Sequence, residues 1–199
     1  FLDHEADRTV VLEDVLVFFQ HCRGYAGRAD MVFPSSAAQN TDVWRLYRNT
    51  RPEGEPKEVF VNDCLFFAAD NRDGTLALDN VRAWIRIANN EHLPGAQFGF
   101  RRSDAWVFGF KAENAEQLFR VDDHSRLEVL GGSFLNWSSH KGPVILSCDS
   151  RVSAVCLLWN WRCVAETILK DETGGVATVL PVSQFRKLEK TDGGVVFVR

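Results

Sequence analysis

The sequence lacks the segments that membrane crossing and nucleotide binding require. No window holds the run of about 18 apolar residues that would span a bilayer, so a membrane is not expected as a partner. Neither a Walker-type GxxxxGK loop nor a GxGxxG loop is present, so no glycine-rich phosphate-binding loop is predicted. A basic excess is also missing, because 27 acidic and 23 basic residues give a net charge of −4. A protein that neutralises phosphates needs a basic face, so nucleic acid is not expected as a partner either.

The cysteines and histidines show no metal-binding spacing. None of the five cysteines forms a C-x-x-C pair, and no two of the five histidines stand four residues apart. Zinc sites are built on such spacings, so neither a metal nor another cofactor is predicted. Cys148, Cys156 and Cys163 lie in apolar segments, where a free thiol behaves as a small hydrophobic side chain. The opening FLDHEADR also lacks the pattern of a secretory leader, so a reducing, cytoplasmic location is predicted.

The first half of the chain has helical patterning. A length of 199 residues suits one domain, and the spacing of apolar residues predicts helices over Thr9–Cys22 and Leu76–Ala88. The inward stripe of the second helix would consist of Leu78, Val81, Ile85 and Ala88. Between the two helices, Val59–Val61 is typical of a buried strand, and Cys64–Ala69 of a short helix. The region 1–95 is therefore predicted to be α-rich.

From Gln97 onward the apolar period changes to two, which is typical of strands. Turn signals such as Ser103-Asp104 and Gly131-Gly132 separate the segments that show this period. These segments are 97–101, 105–111, 116–122, 126–132, 143–149, 153–161, 175–182 and 193–199. Helices followed by a strand meander predict one α+β domain over 1–199, with a mainly antiparallel sheet in the β-rich half, 96–199. No internal repeat is evident.

One cysteine and one histidine suggest chemistry. A catalytic thiolate commonly stands at a helix N-terminus, where the dipole lowers its pKa, opposite an imidazole base. Cys64 begins the predicted short helix, and His140 precedes the predicted strand at Val144. The alternative is structural: Cys64 would be a core cysteine beside phenylalanines such as Phe66, and His140 a turn residue.

The run Asn62–Ala68, NDCLFFA, resembles the nucleophile segment of OTU-like cysteine peptidases, in which Asp-Gly-Asn-Cys-Leu-Phe precedes small residues. The order of an α-rich half before a β-rich half is similar to that of papain-like peptidases, including compact viral ones. The resemblance implies a hydrolase of peptide or ubiquitin-type isopeptide bonds, acting on a protein or ubiquitin-like substrate. It also implies Cys64 as nucleophile, His140 as general base, and Asp149 or Asn160 as the group that orients the imidazole.

A second resemblance implies a different class of function. The segment 105–139 combines a hairpin-like pattern, an acidic turn and the run GSFLNW, and it is similar to the sheet of SUKH-type immunity and adaptor modules. Such a module would be non-catalytic and would bind a protein partner through one sheet face. The acidic net charge suits a basic partner. Trp106, Trp159 and Trp161 are the candidate binding residues, because exposed tryptophans often anchor protein interfaces.

Overall fold

The described residues form strands where helices were predicted. The computed structural model describes residues 2–4, 10–11, 16–19, 25–27, 31–34, 37–40, 45–49, 57–67, 76–91, 96–113, 115–135, 142–159, 165–184 and 193–198. Side-chain packing is described for 58–62, 77–90, 96–113, 115–135, 142–158 and 165–184. These ranges contain no α-helix, and their one helical element is a 3-10 turn at Val182–Gln184. The predicted α+β class is therefore wrong, because the regions 1–95 and 96–199 both contribute strands.

Nineteen strands lie in the described part of the chain. The first ten are β1 (Leu2–His4), β2 (Val10–Val11), β3 (Leu16–Phe19), β4 (Tyr25–Gly27), β5 (Met31–Pro34), β6 (Ala37–Asn40), β7 (Arg45–Asn49), β8 (Lys57–Phe67), β9 (Leu76–Asp79) and β10 (Val81–Glu91). The other nine are β11 (Ala96–Arg101), β12 (Asp104–Glu113), β13 (Gln117–Asp122), β14 (Arg126–Leu135), β15 (Ile145–Cys148), β16 (Arg151–Trp159), β17 (Thr167–Thr173), β18 (Val176–Pro181) and β19 (Gly193–Val198). Over the described residues, the segments predicted as strands from Gln97 onward overlap β11 to β16, β18 and β19. β17 begins within 162–172, where the sequence left a strand or a short helix open.

The strands form two sheets around one core. Over the described ranges, sheet A has the nine-strand order β1-β4-β7-β9-β11-β13-β15-β17-β18. Sheet B has ten strands, in the order β19-β16-β14-β12-β10-β8-β5-β2, with β3 beside β6 and β6 beside β8. Strands pair in parallel throughout the described ladders, except β18 on β17 and β19 on β16. From β7 to β17, consecutive strands alternate between the sheets, so each pairs with the strand one turn of the chain away, and the architecture is a β-solenoid.

The predicted antiparallel meander is therefore wrong, and the reason lies in the turns. Ser103 lies between β11 and β12, as a hairpin turn would, but it carries the chain from sheet A to sheet B. A short polar turn favours a change of direction in both cases, and its residues do not distinguish a hairpin from a corner between two sheets.

Each rung of the solenoid places equivalent residues one above another. Ala83, Ala105 and Leu127 occupy one column of β10, β12 and β14 at a spacing of 22 residues, and Val152 continues the column in β16. The expectation of no internal repeat is therefore wrong for this part of the chain. What repeats is the residue type at each position, an inward apolar residue here, rather than the residue itself.

Three phenylalanines join the two sheets inside the core. Phe98 and Phe119 come from sheet A, and Phe110 comes from β12 of sheet B. Their ring centroids lie 5.2 Å apart for Phe98–Phe119, 5.5 Å for Phe110–Phe119 and 5.6 Å for Phe98–Phe110, and Phe110 meets both neighbours edge-on. Such aromatic pairs add about 0.5–1.5 kcal/mol each beyond the area they bury.

A repeated corner connects sheet A to sheet B. Asn80, Arg102 and His124 have positive φ, and the backbone N–H of each donates to a carbonyl oxygen of the adjacent rung. A column of serines follows. The backbone N–H of Val81 donates to the Ser103 hydroxyl at 3.1 Å, and that of Ser103 donates to the Ser125 hydroxyl at 3.0 Å. The backbone N–H of Ser125 donates to the Ser150 hydroxyl at 3.1 Å. Each hydroxyl also donates to a carbonyl oxygen of its own corner, so the turn satisfies its own polar groups.

This corner explains the wrong helix over Leu76–Ala88. The predicted inward residues are all buried, but β9 ends before Asn80, and Ile87 has positive φ inside β10. Each break shifts the two-residue alternation by one, so inward residues fall three or four positions apart, as in a helix. The described residues within the predicted helix Thr9–Cys22 form β2 and β3, and the backbone of Cys64–Phe67 belongs to β8.

Candidate functional site

The outer face of sheet B carries a column of aromatic side chains. In β8, β10 and β12, the residues on either side of each aromatic are buried, so strand alternation directs Phe60, Trp84 and Trp106 outward. The parallel register aligns Phe60 with Trp84, and Trp84 with Trp106. We call these three residues the aromatic column.

The rings of the aromatic column stack on one another. The centroids of Phe60 and Trp84 are 4.9 Å apart with planes inclined by 9°, and those of Trp84 and Trp106 are 5.4 Å apart at 15°. These separations are close to the roughly 4.8 Å spacing of neighbouring strands, so the backbone ladder sets the stack. Both faces of the central indole are covered by its neighbours, and its edge is directed to the surface. A sugar or base that stacks on an aromatic face would therefore find no free face on Trp84.

An apolar ridge lies beside the aromatic column, where the strands of sheet B bend. Ile87, Gly109 and Gly131 have positive φ at equivalent points, 22 residues apart. Large apolar side chains are exposed at this bend: Ile87 by 52 %, Phe108 by 43 % and Leu130 by 61 %. All the exposed large hydrophobic residues of the described part of the chain lie either on this outer face or on β18. Apolar exposure of this kind on one face is typical of an interaction surface.

Charged residues border the aromatic column. On one side, the register aligns Glu58, Arg82, Asp104, Arg126 and Arg151. Arg126 pairs with Glu128 on its own strand, and Lys111 lies 2.6 Å from Glu113. By contrast, the exposed Arg82, Arg86 and Arg151 form no ion pair with any described residue. The border therefore has guanidinium groups available for a carboxylate of a partner.

The structure does not place Cys64 at a helix start. Cys64 lies inside β8, in register with Ala88 of β10, so the predicted helix dipole is absent there. Asp149 is at the corner after β15, where one carboxylate oxygen accepts the backbone N–H of Gly174 at 2.8 Å. The register aligns Arg151, two residues after Asp149, with Glu58 at a distance of four strand spacings, and Cys64 lies six residues beyond Glu58. At about 3.3 Å per residue and 4.8 Å per strand spacing, Cys64 and Arg151 are roughly 28 Å apart, and Asp149 lies at the corner beyond Arg151. The structure does not bring this pair together.

The remaining candidate residues have different placements. His140, Asn160 and Trp161 lie outside the described residues, so the proposed general base and the alternative imidazole partner stay predictions. Trp159 is the last residue of β16. Trp106 is half-buried within the aromatic column, and its role in binding stays a prediction.

The two described thiols are not activated. Burial raises the pKa of Cys156 to about 12. Burial also raises the pKa of Cys148 to about 11, and the carboxylates of Asp122 and Glu172 add to this effect. The Cys148 sulfur lies 3.6 Å from an oxygen of Glu172. A nucleophile needs a lowered pKa, so these environments favour structural thiols.

Comparison with known proteins adds no relative. No protein-family model matches the chain, and neither a curated protein nor a solved structure matches it. Within the described ranges, no group of three or more histidine, cysteine or acidic side chains has the geometry to hold a metal ion. None of the described segments forms a helix that is long and apolar enough to cross a membrane.

A sequence signal for the aromatic column exists. The runs Val59-Phe60-Val61, Ala83-Trp84-Ile85 and Ala105-Trp106-Val107 each place one aromatic between two inward apolar residues, at spacings of 24 and 22. The next rung has Glu128 in the same column, which ends the aromatic stack. Phe60 and Trp84 were missed because the two runs containing them were attributed to a core strand and a helix.

Proposed function

We propose that this protein is a non-catalytic binding module that engages a protein partner through the outer face of sheet B. The observation that carries this proposal is the concentration of exposed apolar and aromatic side chains there, on a scaffold whose alternate residues already fill the core. Aromatic residues and arginine are enriched at protein interfaces and often supply most of their binding energy. The aromatic column and its arginine border match this composition.

The chemistry of the surface favours a polypeptide over a sugar or a base. Stacking occupies both ring faces of Trp84, so the middle of the column offers a ring edge to a partner. Apolar side chains of a polypeptide can pack against edges and against the neighbouring Phe108 and Leu130. Arg82 and Arg86, which form no ion pair with any described residue, favour a segment that also carries carboxylates. The partner surface we propose is therefore apolar with acidic flanks, in contrast to the basic partner that the net charge suggested.

The cysteine hydrolase implied by the first resemblance stays a prediction. That prediction depended on a thiol at the start of a helix, and Cys64 instead lies within the strand β8. No contact, distance or pKa of a described residue favours catalysis, so the binding module is the function that we propose.

Selection from a random peptide library displayed on phage tests the proposal. Binders are selected on the wild-type chain and depleted on a Phe108→Ser/Leu130→Ser variant, whose substituted side chains are both more than one-third exposed. We expect peptides that combine apolar and acidic residues and that bind the wild-type chain at least tenfold more tightly than the Phe108→Ser/Leu130→Ser variant. An Arg86→Glu variant should weaken the same peptides. Failure to enrich any peptide, or recovery only of peptides that bind both chains equally, would overturn the proposal.

A further inference from the structure

The outward apolar side chains of sheet B form a stripe that crosses five strands diagonally. On β8 and β10 the stripe follows the aromatic column, on β12 it is two outward residues wide, and on β14 and β16 it continues at the next outward position. Val155 lies opposite Leu130 and is directed outward, because Ala154 and Cys156 on either side of it are buried. We call the following residues the diagonal stripe: Phe60, Trp84, Trp106, Phe108, Leu130 and Val155.

The repeat distance of the diagonal stripe is close to that of an α-helix. Four strand spacings of about 4.8 Å and a sideways shift of two residues give the stripe a length of about 20 Å. A segment that follows it therefore meets a new strand about every 5.1 Å, and the pitch of an α-helix is about 5.4 Å. The side chains on one face of an extended chain instead repeat about every 6.7 Å, so they would not coincide with successive strands.

The strands beneath the diagonal stripe offer a partner no backbone hydrogen bonds. Each of β8, β10, β12, β14 and β16 pairs with a described strand on both sides. An extended segment on this face would place its own N–H and C=O groups against apolar side chains without partners, which costs free energy. An α-helix satisfies its interior backbone groups within itself, so the face favours a helical segment.

Two arginines flank the diagonal stripe on β10. Arg82 and Arg86 are exposed, lie two residues before and two residues after Trp84, and form no ion pair with any described residue. Four residues of strand place their Cα atoms about 13 Å apart, which is slightly more than the diameter of about 10–12 Å of a helix with its side chains. A helix that lies over Trp84 would therefore have one guanidinium group on each side.

We propose that the partner segment is an amphipathic α-helix of nearly four turns, which lies along the diagonal stripe and carries acidic residues at the turn over β10. The inference rests on the proposed function, because it specifies the partner of the same face. Successive residues of a helix are about 100° apart, so the residues before and after an apolar contact residue lie on opposite sides. The turn over β10 should therefore read acidic-apolar-acidic, and further apolar contacts should follow at spacings of three or four residues.

The probe is the tightest peptide that is selected on the wild-type chain and depends on Phe108 and Leu130. Far-ultraviolet circular dichroism of the complex, minus the spectra of the separate components, measures the helix that forms on binding, and we expect a gain of helix. Proline is then placed at a mid-peptide position where alanine, the matched control, leaves the affinity unchanged. Proline breaks a helix, so we expect at least a tenfold loss of affinity for the proline peptide.

Charge reversal locates the helix on the stripe. Arg82→Glu and Arg86→Glu should each weaken the peptide at least fivefold, because each places a carboxylate against an acidic residue of the partner. A peptide in which one of these acidic residues is changed to lysine should regain affinity for one of the two variants. The matched control is Arg120→Glu, which reverses a half-exposed charge on sheet A and should change the affinity less than twofold.

The outcomes separate this inference from the proposed function. Peptides that need Phe108 and Leu130, but gain no helix or tolerate the proline, would overturn the helix and leave the binding face in place. Equal effects of Arg82→Glu, Arg86→Glu and Arg120→Glu would overturn its position over β10. A chain that dimerises alone through Phe108 and Leu130 would also overturn the inference, since a second copy would then cover the stripe. If no peptide depends on these two residues, both proposals fail.

Discussion

The outer faces of the two sheets differ although their strand spacing and inner packing are alike. On sheet A, Arg101 pairs with Asp123 and Arg120 with Asp122, each at 2.7 Å, so charges are satisfied within the face. The hydrogen bond from Arg101 lowers the pKa of Asp123, which keeps its carboxylate ionised. On sheet B the equivalent outward positions hold the aromatic column. The comparison indicates that the inward residues specify the solenoid, while the outward residues determine what each face can bind.

The largest expected effect comes from disrupting the bend of sheet B. Gly132 has φ +127°, and a Cβ built there would lie 2.2 Å from the Phe110 ring. Gly132→Ala must therefore displace a core aromatic and also strain the backbone, at a cost of about 2–5 kcal/mol. Urea unfolding followed by circular dichroism measures this loss.

Gly131 provides the matched control. It also has positive φ, but a Cβ there meets nothing within 4 Å. Gly131→Ala should cost only the backbone strain, about 1–2 kcal/mol. Equal destabilisation by the two variants would contradict the role given to the contact with Phe110.

A smaller loss is expected from the aromatic column itself. Trp84 stacks on two neighbours and Phe60 on one aromatic neighbour of the column. At about 0.5–1.5 kcal/mol for each aromatic pair, Trp84→Ala should lose roughly twice the stacking free energy of Phe60→Ala. A double-mutant cycle on Trp84 and Trp106 isolates their pair from the area that each ring buries. A coupling free energy near zero would show that the stack contributes no stability.

The sequence predicted the strands of the second half because their alternation is regular. Val107 is buried while its two neighbours in the strand, Trp106 and Phe108, are not, and Val129 is buried at the equivalent position of the next rung. This is the period-two pattern. The parallel pairing could not be predicted in the same way, because it joins residues such as Trp84 and Trp106 that are 22 positions apart. Within any single rung, a parallel solenoid and an antiparallel meander have the same local pattern.

The site was harder to predict than the strands. Trp106 was identified as a candidate, but its stacking partners depend on the register between rungs. The pairing of Cys64 with a histidine relied on a helix that the backbone does not form. Aligning the chain with itself at a shift of 22 residues would have placed Trp84 over Trp106 and Gly109 over Gly131.

The thiols of Cys148 and Cys156 differ in how deeply they are buried. Cys148 is half-buried on sheet A with a pKa raised to about 11, and Cys156 is buried on sheet B with a pKa of about 12. Only the thiolate reacts with iodoacetamide, so both should label slowly at neutral pH, and labelling of Cys148 should rise as pH approaches 11. Peptide mass spectrometry resolves the two sites.

Asp122→Asn should accelerate labelling of Cys148, since removing that carboxylate lowers the thiol pKa. The rate for Cys156 should not change, because burial alone raises its pKa. Rapid labelling of Cys148 in the wild type at pH 7 would contradict this account.

The smallest effect is expected on sheet A. Arg120 is about half exposed, and its pair with Asp122 is screened by water. Arg120→Ala should change the free energy of unfolding by at most about 1 kcal/mol. Denaturant unfolding in low and high salt checks this, and a large loss that persists in high salt would contradict the description of sheet A as a solvated face.

The most direct test compares the affinity of one selected peptide for two surface variants, measured by isothermal titration calorimetry. The Phe108→Ser/Leu130→Ser variant alters sheet B, and an Arg120→Ala/Lys170→Ala variant alters sheet A. We predict at least a tenfold loss of affinity for the first, about 1.4 kcal/mol or more, and less than a twofold change for the second. Equal affinities for both variants, or a greater loss on sheet A, would contradict the assignment of the binding face.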